Sequence, residues 1–180
     1  DKAVADATAL YKGGADGCLV QTVDRIYPVG EEADYARVAA EAMRLGAVNF
    51  SFQGGEPLLD KNLPGLVAGL AAIPGVDDLA LTTNGMLLPA AAQRLADAGL
   101  HRVTISLDSL DEDVFRHMSG GRGDLARVLD GLRAAEEAGL DPIKINVVVQ
   151  RGVNDHTVMD LLDYFRGSGH IVRLIEFMDV

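Results

Sequence analysis

The string Gln53-Gly54-Gly55-Glu56-Pro57-Leu58 has the residue types of a small ligand site. Two successive glycines let a backbone reach positive φ and approach a ligand closely. Their N–H and C=O groups can then pair with a carboxylate or an ammonium. Glu56 adds a fixed negative charge, and Pro57 stiffens the exit from the turn. A plain turn leading to an acidic helix start would use the same ingredients. Position favours a ligand: the string directly follows an apolar run that reads as a strand, and ligands of parallel α/β folds sit beyond the C-terminal ends of strands.

Three more clusters follow strand-like runs in the same way. They are Thr82-Thr83-Asn84-Gly85, Ser106-Leu107-Asp108-Ser109 and Glu176-Phe177-Met178-Asp179. Each alone has a plain explanation as a turn, a strand end or a core methionine. Together they gather at one edge. Lys144 lies inside a strand-like run, where a cation needs an anionic partner. Asp108, Glu56 or a ligand phosphate could serve. His101, His117, His156 and His170 have no ligand-like spacing and read as surface residues. The sequence has no Walker loop, no Gly-x-Ser-x-Gly and no Gly-x-Gly-x-x-Gly opening a helix. The loop Ser119–Asp124 reads as a connection, not a site.

Elements that could position these residues alternate along the chain. Strands are expected at 18–23, 47–52, 79–83, 102–107, 143–149 and 171–176. Helices are expected at 2–12, 31–45, 63–73, 89–98, 111–117, 124–138 and 155–165, the last with Asn154 or Asp155 as cap. Six strands with intervening helices predict an α/β fold with a parallel sheet. Strand parity adds that one sheet face is polar: Asn49, Ser51 and Gln53; Thr104, Ser106 and Asp108; Lys144 and Asn146. Either a lumen holding water or a polar ligand, or an internally satisfied polar layer, would account for it.

The composition bounds the partners. The 180 residues include 16 Lys+Arg and 27 Asp+Glu, a formal charge of −11, with 48% apolar residues and one cysteine, Cys18. That length suits one domain with a sizeable core. The acidic balance argues against general nucleic-acid binding. No apolar run is long enough to span a membrane. One cysteine cannot form an internal disulfide, so a cytoplasmic protein is expected.

In order along the chain, Gly54-Gly55-Glu56-Pro57-Leu58, Leu81-Thr82-Thr83-Asn84-Gly85, Val103–Ser109, Lys144-Ile145-Asn146, Arg151–Asp155 and Glu176–Val180 resemble the radical S-adenosylmethionine GTP 3′,8-cyclases of molybdenum cofactor biosynthesis. The resemblance covers roughly residues 45–180. It implies a parallel (β/α)6 partial barrel of the radical SAM, TIM-like type, in a single domain over 1–180. Residues 1–44 would be a divergent first βα unit. By resemblance, Gly54, Gly55, Glu56, Pro57, Ser106 and Met178 would bind S-adenosylmethionine, and Thr82 and Lys144 would bind GTP. The family's [4Fe–4S] cluster reduces S-adenosylmethionine, and the radical formed abstracts a hydrogen from the GTP ribose; the cofactor does the chemistry and the protein places it.

The departures from the family pattern concern the metal. The family's Cys-x3-Cys-x2-Cys loop after the first strand is missing, so no metal ligands are expected here. Ser51 stands where the family has a GTP-contacting arginine, and the family's second-cluster region is not among the 180 residues. A GTP 3′,8-cyclase-like protein, inactive as this isolated chain, is the expectation. Phe52-Gln53-Gly54-Gly55 also resembles peptide-modifying radical enzymes, which keeps such a maturase open. A barrel scaffold without enzymatic activity is the third reading.

Overall fold

The computed structural model describes residues 49–178. The helices expected at 2–12 and 31–45, the strand at 18–23 and Cys18 lie outside the described residues, as do Asp179 and Val180. Five strands form one parallel sheet: β1 (Asn49–Phe52), β2 (Asp78–Thr83), β3 (Arg102–Ser106), β4 (Lys144–Val149) and β5 (Ile171–Glu176). Their order across the sheet is their order along the chain. The helices between them are α1 (Leu63–Ala71), α2 (Leu88–Asp97), α3 (Glu112–Met118), α4 (Leu125–Glu137) and α5 (Val158–Tyr164).

Local chemistry explains where these helices start and stop. Pro64 and Pro89 sit in the first turns of α1 and α2, where no amide donor is missed. Asp111 and Asp124 cap α3 and α4, accepting from Val114 N at 2.9 Å and Arg127 N at 3.1 Å. Gly99 and Gly139, at φ +102 and +74, terminate α2 and α4. The start expected for α5 is different in detail. One turn of 3-10 helix, Asp155–Thr157, precedes it, and neither Asn154 nor Asp155 provides a side-chain cap. Asp155 Oδ1 instead accepts from Gly152 N at 3.0 Å.

The two faces of the sheet have opposite character, as parity predicts. Leu79 and Leu81, Val103 and Ile105, and Ile145 and Val147 are fully buried in the core with the helices. Each such side chain contributes roughly 1.5–3 kcal/mol by leaving water, so this face fixes the register. The opposite face carries Thr82, Thr104 and Lys144 in one row. Ser106, Asn146 and Arg173 form the next row toward the C-terminal edge. Near the other edge, Arg102 closes on Asp78 with Nη2–Oδ2 at 2.5 Å.

Two glycines hold α4 against the crown of loops. A Cβ on Gly131 would stand 2.1 Å from the carbonyl oxygen of Gly85, so only glycine lets the helix pass the loop after β2. Gly85 has φ +82, and a Cβ there would press on Ile105 and Val128. His170 corrects the reading of all four histidines as surface residues. Its side chain is 9% exposed, Nε2 lies 2.7 Å from Glu136 Oε1, and its ring packs on Phe165. It ties the start of β5 to the end of α4.

Candidate functional site

Glu56 joins the first two clusters. Its Oε1 accepts from Thr83 Oγ1 at 2.7 Å and from Leu58 N at 3.0 Å, and its Oε2 accepts from Asn84 N at 2.8 Å. The carboxylate expected to face a ligand therefore turns back onto its own fold. This shapes the turn in front of it. Gly54 takes φ +116, while Gly55 stays outside the left-handed region. A Cβ on either would meet nothing within 4 Å. The amides and carbonyls of both glycines have no hydrogen-bond partner among the described residues. Open space beside unpaired backbone groups can receive an ammonium and a carboxylate, and so suits the amino-acid end of a ligand. Pro57 opens the one-turn helix Pro57–Leu59 that follows.

A second knot joins the ends of β3 and β4. Asp108 Oδ1 accepts from Val148 N at 2.7 Å. Asn154 is fully buried; its Nδ2 donates to the carbonyls of Asp108 at 2.9 Å and Val148 at 2.8 Å, and its Oδ1 accepts from Gln150 N at 2.8 Å. Ser109 Oγ donates to Thr157 Oγ1 at 2.9 Å, and Thr157 donates to Asn154 O. Burial pushes the Asp108 carboxyl up from 3.8, against the lowering effect of the Val148 amide. The sequence suggests Asn154 only as a possible cap. An Asn-Asp pair after a strand carries no signal of this role, because the carbonyl partners are 46 and 6 residues away.

An open cleft of about 290 Å³ lies between these two knots. Asn84, Ser106, Asp108 and Arg122 line its polar side, and Met86 and Phe115 its apolar side. Ser119, Arg122 and Gly123 of the loop 119–124, read from sequence as a connection, also line this cleft. The loop is shaped by Ser119 Oγ accepting from Gly123 N at 3.0 Å. Gly123 itself packs so closely on Phe115 that a Cβ would stand 2.5 Å from the ring.

Thr82 and Lys144 fall in one row of the polar face, two strand spacings or about 10 Å apart. Lys144 makes no ion pair among the described residues: Asp108 and Glu56, its candidate partners, are engaged elsewhere. Arg173, which the sequence reading passed over, is on the same face and is likewise without an acidic partner among the described residues. Ile171 and Ile175 flank Arg173 on that face, so period-two patterning gives no signal for it. Met178 lies beyond β5 and is 79% exposed, apart from the cleft residues.

Comparison with known proteins gives this geometry a family. Residues 17–165 match the model of the Radical SAM superfamily. The chain belongs to that superfamily. GTP 3′,8-cyclases are similar to it: the one from Xanthomonas campestris pv. campestris (strain B100) is 57% identical over 136 residues, 76% of this chain and 40% of the relative. The one from Moorella thermoacetica (strain ATCC 39073 / JCM 9320) is 43% identical over 166 residues, 92% of this chain and 50% of the relative. The chain thus spans about two fifths to one half of these curated relatives. Among solved structures, histidine-tagged anSMEcpe with bound AdoMet has a TM-score of 0.66 at 20% identity, covering 90% of this chain and 45% of that one. Coproporphyrinogen III oxidase from Escherichia coli, a radical SAM enzyme, has a TM-score of 0.57 at 11% identity, covering 81% and 36%. These two establish the partial-barrel fold.

A radical SAM domain implies S-adenosylmethionine and a [4Fe–4S] cluster. The first fits: the Gly54–Gly55 turn offers unpaired backbone groups in open space. The second does not fit the residues present. The sequence contains one cysteine, and no three His, Cys, Asp or Glu side chains among the described residues are grouped to hold a metal. Three thiolates are needed for such a cluster. No helix among the described residues is long and apolar enough to cross a membrane.

Proposed function

We propose that this chain is a radical SAM domain of the GTP 3′,8-cyclase type, with GTP as its substrate and S-adenosylmethionine as its cofactor. The observation that carries the reading is Lys144, a cation on the polar sheet face at the start of β4, with Thr82 and Thr104 in its row and no acidic partner among the described residues. A lysine so placed is a point charge awaiting an anion, and a triphosphate supplies one. The names of the similar curated proteins support GTP as the source of that phosphate. Gly54 and Gly55 take the amino-acid end of S-adenosylmethionine through their backbone, with Glu56 and Pro57 shaping the turn. Ser106 and Met178 complete that cofactor's surroundings by resemblance. Radical chemistry is not assigned to this chain by itself, since its residues cannot hold the cluster.

Calorimetric titration of the chain with GTP tests the reading. Binding is expected, and Lys144→Met weakens it about tenfold, the loss of one charge-assisted contact. Wild-type protein that ignores GTP, or a variant that binds as well as wild type, would overturn it.

A further inference from the structure

We infer that Asn146 is a ligand-contacting residue whose amide oxygen accepts a hydrogen bond from the nucleoside part of a nucleotide lying across the polar face; this rests on the GTP reading above. Asn146 Oδ1 is closed off from solvent and accepts no hydrogen bond, alone among the buried side-chain polar atoms of the described residues. Its backbone is used in the sheet, its carbonyl accepting from Leu107 N at 3.0 Å. Only the side chain lacks a partner. Buried polar atoms are almost always paired, and one that is not marks a place where the fold has kept a group for another purpose.

The position says what the partner must be. Asn146 lies on the polar face, paired in register with Ser106 on β3 and Arg173 on β5. Lys144 is two residues before it on β4, on the same face. Lys144 and Arg173 offer a phosphate the charges it needs. A fully ionised phosphate has only acceptors, so it cannot satisfy an amide oxygen. Lys144 on the same strand and Arg173 in the same row favour a donor on the nucleotide whose phosphate they would hold, rather than on the cofactor assigned to Ser106. That nucleotide carries two kinds: the ribose hydroxyls and the N–H groups of the base. Hydrogen-bonding sites of this kind reject ligands that lack the matching group, because the buried acceptor is then left unpaired.

The test measures unliganded stability and binding on the same variants of the full chain. Asn146→Leu removes the unpaired acceptor and is expected to melt at or above the wild-type temperature, while binding GTP about tenfold more weakly. Asn146→Ala gives the same loss of affinity without the demand of a larger side chain. Titrations with 2′-deoxy-GTP, 3′-deoxy-GTP and inosine triphosphate identify the donor: the analogue lacking it binds wild type and Asn146→Ala equally. Asn146→Ala binding GTP as tightly as wild type would overturn the inference. So would melting of both variants well below wild type, which would make the amide part of the scaffold. If wild type does not bind GTP while Asn146→Leu keeps its melting temperature, the choice of GTP fails and the placement of Asn146 facing a ligand survives.

Discussion

Thr83 donates its hydroxyl hydrogen bond to Glu56 Oε1 at 2.7 Å, across 27 residues of sequence. With Asn84 N on the other oxygen, this one carboxylate fastens the glycine turn after β1 to the turn after β2. The Glu56 carboxylate is therefore taken up by the fold itself and holds the backbone of the turn. Glu56→Ala strands the Thr83 hydroxyl and the Asn84 amide, and should cost about 2–3 kcal/mol, since bonds to a charged acceptor are the stronger kind. Denaturant unfolding measures the loss. Glu56→Gln keeps one carbonyl acceptor and should lose less. Equal stability of Glu56→Ala and wild type would remove the clamp.

The two glycines should separate in their response to alanine. Gly54 has φ +116, so Gly54→Ala strains the backbone by about 1–2 kcal/mol despite the free space beside it. Gly55 has neither strain nor neighbours, so Gly55→Ala should melt like wild type. If S-adenosylmethionine lies against this turn, Gly55→Ala still weakens its binding, because the added methyl occupies the approach. Calorimetry beside thermal melting distinguishes the two effects.

Much of this arrangement is readable in the sequence. The apolar positions of β1, β3 and β4 alternate with polar ones, so the placement of these strands and the polar face follow from period-two patterning. The Asp111 and Asp124 caps and the Gly99 and Gly139 stops are likewise local. The partners of the polar side chains are not legible, because they are set by register between strands. Glu56 reads as a free charge, Asn154 as a cap and the Ser119–Asp124 loop as a connection until β1, β2, β3 and β4 are aligned. Lys144 is visible as an anomaly in sequence; its lack of an acidic partner requires knowing where Asp108 and Glu56 point.

Asn154 should be among the costliest single truncations. It is fully buried and serves two carbonyls and one amide, from Asp108, Val148 and Gln150. Asn154→Ala leaves all three without their partner and opens a gap, a loss of about 3–5 kcal/mol. Urea titration should show the midpoint falling sharply. A shift worth less than about 1 kcal/mol would mean that the ends of β3 and β4 hold together by other means.

Asp108 gives the fold a pH dependence of defined sign. Burial raises its carboxyl above 3.8 in the folded chain, so the folded state binds the proton more readily than the unfolded state. Between 3.8 and the raised value, its contribution to stability falls as pH rises. Asp108→Asn keeps an oxygen for the Val148 amide and removes the ionisation. Its stability should therefore exceed that of wild type above this window and lose this slope. Urea unfolding from below 3.8 up to neutral pH provides the comparison, and parallel curves for the two proteins over that whole range would refute it.

The agreement between strand order and chain order has a consequence for how the domain is made. Every described strand pairs with the one synthesised just before it, from β1–β2 to β4–β5. No described strand waits for a partner that leaves the ribosome later. From β1 onward, the described sheet can thus grow one βα unit at a time during synthesis, each new strand docking on an edge already present.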